Sequence, residues 1–165
     1  MHKCLHLICP TDCLESIINN RFECENYFYT SLGNSIMFDA NTICKIKKVI
    51  RKHDIREITF VLSNNNSILF DSLENQNFSN IRGLKKFYKA ISKQKTYLAI
   101  LQDIDKKQFM LLSYYLNKKV NALKLGLKDS FIKPIKVIGK IYNKQDNSFN
   151  HIYSDLICIK KHNLN

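Results

Sequence analysis

Nothing in this chain is apolar for the roughly 20 residues that cross a bilayer, so no membrane span is expected. The opening residues MHKCLHLICP are too short and polar for a secretion signal, because Asp12 and Glu15 follow at once. A cytoplasmic protein is the expectation. There is no Walker-type phosphate loop, no Gly-x-Gly-x-x-Gly, no RNP motif, no zinc-finger spacing and no long basic arm. Repeats, low-complexity segments and linkers are also missing. Acidic residues are scarce, 14 Asp plus Glu against 26 Lys plus Arg, and the net charge is +12. Such a charge attracts polyanions, but the lysines are spread along expected helices among Asn and Ile. A solvated basic surface is the favoured reading, and a basic nucleic-acid-binding protein is kept as an alternative.

What is present suits one folded domain over residues 1–165. The chain is 45% hydrophobic and 11% aromatic, which argues against disorder. Residues 55–69, IREITFVLSNNNSIL, are the organising stretch. Ile58 to Leu62 is short, uncharged and rich in β-branched and aromatic residues, as a parallel strand covered on both faces should be. Ser63 to Ser67 ends it in a polar turn. Ligands in open α/β sheets bind beyond the carboxyl ends of the strands, so this loop is the first place to look for a site.

The remaining elements follow in order. Lys3 to Cys9 reads as a first strand, and Thr11 or Asp12 is placed to cap a helix with Glu15 as reciprocal partner. Leu14, Ile17 and Ile18 give that helix its apolar stripe. Asn26 to Leu32 is a second strand, closed by a Gly33-Asn34 turn that needs unusual backbone angles. Asp39 or Asn41 caps a helix from Thr42 to His53 with Ile43, Ile46, Val49 and Ile50 inward. Ser72 to Asn80 is turn-like, and Gly83 to Lys93 is helical with Leu84, Phe87, Tyr88 and Ile91 inward. Thr96 to Ile104 fits helix or extended chain. Phe109, Leu112, Leu116, Val120, Leu123 and Leu127 mark a long helix from about Asp105 to Leu127. Ile135 to Tyr142 is a fourth strand in which Gly139 signals a bulge or a close approach. A polar connection over residues 143–150 leads to a last strand, Ile152 to Ile159, antiparallel to the fourth.

The β-α-β-α-β start argues for a parallel sheet with right-handed crossovers. The expected fold class is α/β, one three-layer domain with strand order 2-1-3-4 and an antiparallel fifth strand. The six cysteines at 4, 9, 13, 24, 44 and 158 read as free thiols, since no secretory signal supports a disulfide framework.

This ordered series resembles the β-class carbonic anhydrases. YFYTSLGN at residues 27–34 is similar to that family's strand ending in Arg-Asn-Ala-Gly-Asn, with Gly33 and Asn34 on its last two residues. ICKIKKVIRKHDIREITFVL is similar to the helix and third strand that follow. Asn117 and Leu123 in the long helix, then Gly139 and Tyr142 in a Gly-x-x-Tyr strand, extend the resemblance from Lys3 to about Ile159. No N-terminal helical arm like that of the family is expected before the first strand.

The resemblance implies a zinc site made by one Cys after the first strand and a His-x-x-Cys pair after the third, with a Cys-x-Asp-x-Arg pattern at the first ligand. Cys9 falls on the first ligand. Thr11 and Cys13 fall on the Asp and Arg positions, with Asp12 one residue away. Asn64 falls on the His and Ser67 on the second Cys. An amide and a hydroxyl are poor zinc donors, and without the metal nothing lowers the pKa of a bound water. The expectation is a non-catalytic, metal-free protein of this fold with no cofactor. Its vacated pocket of Cys9, Asp12, Gly33, Asn34, Ser63, Asn64 and Ser67, or its basic surface, would bind a small anion or a partner protein. The alternative is a zinc-dependent carbonate dehydratase with a site rebuilt from Cys9 and Cys13, with His6. A homodimer through the last strand or an exposed helix face is also expected.

Overall fold

A computed structural model of the chain describes residues 2–99, 103–154 and 156. Its sheet has five strands: β1 (Lys3–Ile8), β2 (Glu25–Thr30), β3 (Glu57–Ser63), β4 (Lys136–Asn143) and β5 (Ser148–His151). The order is β2-β1-β3-β4-β5, with the first four parallel and β5 antiparallel to β4. The expected order 2-1-3-4 with an antiparallel edge is therefore found. β3 lies centrally and is buried from Ile58 to Ser63, as a strand with two covered faces must be.

Among the described residues five helices cover the sheet: α1 (Glu15–Arg21), α2 (Ala40–His53), α3 (Ser67–Leu73), α4 (Leu84–Leu98) and α5 (Ile104–Leu127). The pleat sends alternate side chains of β1 to opposite faces. Leu5, Leu7 and Cys9 enter the larger core with α2, α4 and α5, whereas Ile8 joins Leu14, Ile18 and Val61 under α1. Leu84, Phe87, Tyr88 and Ile91 of α4 are buried, as are Leu112, Leu116, Val120, Leu123 and Leu127 of α5.

Several expectations change. The first helix has no side-chain cap from Thr11 or Asp12. A 3₁₀ turn, Pro10–Asp12, comes first, and Leu14 stands at the N-cap without a capping side chain. α2 begins at Ala40, its cap is Asp39, and the side chain accepts from Thr42 N at 2.8 Å. Val49 is exposed, not buried, because the stripe of Ile43, Ile46 and Ile50 already covers the contact face. Residues 67–73 form a helix that lies between the two expected turns, Ser63 to Ser67 and Ser72 to Asn80, and overlaps both at its ends. Asn66 caps it, its Oδ1 accepting from Leu69 N at 3.0 Å. α4 continues to Leu98, so the ambiguous stretch from Thr96 begins as helix.

β5 is Ser148–His151, at the end of the expected polar connection, and Ile152, Tyr153, Ser154 and Leu156, where the last strand was expected, are not strand. Residues 155 and 157–165, including Cys158, lie outside the described residues. At Gly139 the ladder to β3 runs without a bulge. The close approach is real: a Cβ there would stand 2.6 Å from Ile152 Cδ1, and Ile152 N donates to Gly139 O. No helix among the described residues is long and apolar enough to cross a membrane.

Candidate functional site

The carboxyl ends of β1 and β3, with the turn after β2, bring most of the sequence-selected residues together. Gly33 and Asn34 have φ of +56° and +52°, left-handed angles that suit Gly and are tolerated by Asn. That turn aims Gly33 N–H at the buried Cys9, whose Sγ accepts at 3.1 Å. Thr11 Oγ1 lies 3.0 Å from the same sulfur. Asn34 is fully buried. Its Nδ2 donates to Val61 O at 2.9 Å, and its carbonyl accepts from Tyr115 Oη at 2.9 Å. Its Oδ1 has no hydrogen-bond partner.

Asp12 holds the opposite wall. Its Oδ2 accepts from Ser63 N at 2.8 Å, and its Oδ1 accepts from Asn66 Nδ2 at 2.8 Å. Burial pushes this carboxyl up to about 6, although both hydrogen bonds pull the other way. Asn66, fully buried, thus joins Asp12 to the first turn of α3. The sequence reading missed it, along with Tyr115, and gave Thr11 only as a candidate helix cap and the counterpart of the family's Asp. The available signal was Asn66 directly before the apolar run Ile68-Leu69-Phe70, an N-cap pattern.

Two selected residues go elsewhere. Asn64 Nδ2 donates to Asn143 Oδ1 at 3.0 Å, towards the β4–β5 connection. Ser67 is exposed in the first turn of α3. Ser63 Oγ lies 2.5 Å from Asn65 Oδ1. Cys13 is exposed, with Sγ pointing at Pro10 O at 3.5 Å. His6 lies on the face of β1 opposite Cys9, two residues from Ile8 and three from Cys9. Cys9, Cys13 and His6 therefore do not converge.

A different set converges at the amino end of the sheet. Cys4, His6 and Cys24 present two sulfurs and a ring nitrogen within 4.8 Å of one another, an arrangement that can hold a metal ion. It is the one such group of three among the described residues. Cys4 and His6 share a face of β1 by alternation, and the parallel register Cys4↔Asn26 brings Cys24 alongside. Burial, then the neighbouring Cys24, pushes the Cys4 thiol up to about 12. Burial holds the His6 imidazole below its usual pKa.

A basic cavity of about 600 Å³ opens on the α2 to α5 side, lined among others by Phe38, Lys86, Tyr115, Lys118 and Lys119. Lys119 Nζ donates to Ile36 O at 2.7 Å and lies over the rings of Phe38 and Tyr115. Burial, then Lys86 and Lys118, lowers this ammonium to about 8.

The architecture has close counterparts among solved structures. The β-carbonic anhydrase CafA of Aspergillus fumigatus superposes with a TM-score of 0.73 at 14% identity, covering 93% of this chain and 76% of that one. CafD of the same fungus gives 0.73 at 16%, covering 92% and 90%. The Coccomyxa β-carbonic anhydrase, solved with acetazolamide, gives 0.71 at 14%, covering 98% and 81%. The fold is that of the β-carbonic anhydrases. No family model matches the sequence, and no curated protein matches it. At these identities the likeness speaks for the fold alone.

Proposed function

We propose that this protein of β-carbonic anhydrase-like fold is non-catalytic and binds a small anion through its lysine-lined cavity. The observation that carries the reading is the internal closure of the carboxyl-end pocket. Cys9 Sγ is engaged by Gly33 N and Thr11 Oγ1, and Asp12 takes the donors of Ser63 N and Asn66. Zinc takes thiolate, imidazole or carboxylate donors. Cys9 offers a sulfur and Asp12 a carboxylate whose two oxygens are already held by Ser63 N and Asn66, while Asn64 is bonded to Asn143 and Ser67 faces solvent. These residues do not fit a zinc ion.

The same closure argues against an anion in that pocket, since the Asp12 carboxylate already occupies the amide donors. The lysine cavity has the opposite character. None of Lys86, Lys118 and Lys119 has an ion-pair partner among the described residues. Asp39 lines the same cavity, but its carboxylate caps α2. An anion seated among the three ammonium groups relieves their mutual repulsion and favours the charged form of Lys119.

Titration with inorganic phosphate tests the reading. Saturable binding is expected, at least tenfold weaker in Lys119→Gln and weakened by salt. Absence of binding, or binding indifferent to both Lys119→Gln and Lys86→Gln, contradicts it.

A further inference from the structure

We propose that Cys4, His6 and Cys24 form a zinc-binding site at the amino end of the sheet, separate from the carboxyl-end pocket. Two thiolates and one imidazole are three of the four donors of a tetrahedral zinc site, at about 2.0–2.3 Å, and water takes the fourth position. Those bond lengths place ligand atoms about 3.3–3.8 Å apart, so the group, within 4.8 Å, closes by at most roughly 1 Å. Cys24 precedes β2 and is half-buried, so it can adjust and gives an ion a way in. Cys4 and His6 are 4% and 2% exposed, which fixes the other two donors.

The surroundings of His6 are those of a metal ligand. Its Nε2 lies 2.7 Å from Asn26 Oδ1, and Nδ1 has no hydrogen-bond partner despite its burial. A buried ring nitrogen without a partner is unfavourable, and a metal bond satisfies the ring. Ligating histidines commonly hold their other nitrogen on a carbonyl or carboxylate oxygen. Asn26 supplies such an oxygen and is itself oriented by its Nδ2, which donates to Asn19 Oδ1 at 3.1 Å. Phe22 and Phe28 stack on the imidazole at 5.9 and 5.7 Å between centroids and hold its plane. Cys24 Sγ donates to the same Asn26 oxygen at 3.0 Å, a bond that is given up when the thiol becomes a ligand.

Charge selects the ion. Zn²⁺ displaces two thiol protons, so binding releases two protons and leaves the cluster with the net charge it had as free thiols. A monovalent soft ion leaves one negative charge in a buried place, which is unfavourable. The position at the amino ends of the strands, away from the end where α/β sheets bind substrates, gives the ion a structural part: it ties β1 to the turn before β2.

Zinc content, measured after equimolar Zn²⁺ and removal of free metal from the reduced full-length chain, tests the site. About one zinc per chain is expected, retained in Cys9→Ser and lost in Cys24→Ser. Cobalt gives a second readout that does not depend on the folding of Cys24→Ser. In a Cys9→Ser, Cys13→Ser background, Co²⁺ is expected to show thiolate charge-transfer absorption and the visible bands of a tetrahedral ion. No zinc, no cobalt–thiolate absorption in that background, or zinc that survives Cys24→Ser overturns the proposal. Zinc lost in Cys9→Ser but kept in Cys24→Ser overturns both this site and the non-catalytic reading above.

Discussion

At the carboxyl end of β1 the Cys9 sulfur accepts from Gly33 N and lies beside Thr11 Oγ1, in a pocket whose remaining donors are taken by Asp12. At the amino end of the same strand the Cys4 sulfur sits with a second thiol and an imidazole whose Nδ1 is unpartnered. At the carboxyl end the thiol, the carboxylate and the loop amides engage one another and Asn34 Oδ1 is left without a partner, whereas at the amino end two thiols and an imidazole nitrogen, all metal-ligand types, stand together. The difference teaches that position in a fold does not assign chemistry. Donor type and the remaining hydrogen-bond capacity of each buried group assign it.

The contrast can be broken most forcefully at Asn66. Removing its side chain in Asn66→Ala takes away the α3 cap and one of two hydrogen bonds to Asp12. A loss of about 2–4 kcal/mol is expected in urea unfolding. A loss below about 1 kcal/mol would mean that the carboxyl-end network is slack.

Asp12 gives the next effect, through pH. Its folded pKa of about 6 lies above the usual 3.8, so the folded chain binds this proton more tightly than the unfolded chain. Its contribution is greatest below pH ~4, falls as pH rises through about 4 to 6, and is constant above. The fall is on the order of 2 kcal/mol for a partly exposed group. A stability-against-pH profile of Asp12→Asn should lack that fall, and an unchanged profile would remove Asp12 from the account.

Gly33→Ala tests the turn that aims the amide at Cys9. The left-handed φ, and a Cβ 3.0 Å from Ile68 Cγ2, should cost about 1–2 kcal/mol. Thermal unfolding that shows no change would place the turn outside the network.

The smallest effect is expected at the other end. In metal-free protein, His6→Phe exchanges a buried imidazole with an unpartnered nitrogen for a ring that stacks on the same Phe22 and Phe28. Asn26 Oδ1 keeps the Cys24 thiol donor, so the change should stay within about 1 kcal/mol. A loss as large as that of Asn66→Ala would show that His6 is held by its own contacts as firmly as the carboxyl-end network is.

Much of this architecture was legible in the sequence. Periodicity marked α5, the uncharged run marked β3, Gly33-Asn34 marked the left-handed turn, and Asp39 stood ready as a cap. Local signals failed where two meanings share one residue type. Asn and Ser at 63–67 read as a turn, but Asn66 is a helix cap and Asp12 serves the loop amides instead of α1. The pocket was half legible. Cys9 with Gly33, and Asp12 with Ser63, were selected together and meet, whereas Asn64 and Ser67 point away. The amino-end group was not visible at all. Cys4 and His6 show the two-residue alternation of one strand face, but Cys24 joins them only through the β1–β2 register, which no local pattern specifies.

The central claim, that the carboxyl-end pocket does no carbonic anhydrase chemistry, is tested most directly by stopped-flow hydration of carbon dioxide with zinc-loaded protein. The account predicts a rate no greater than that of buffer with the same zinc. A rate well above buffer that disappears in Cys9→Ser would contradict it.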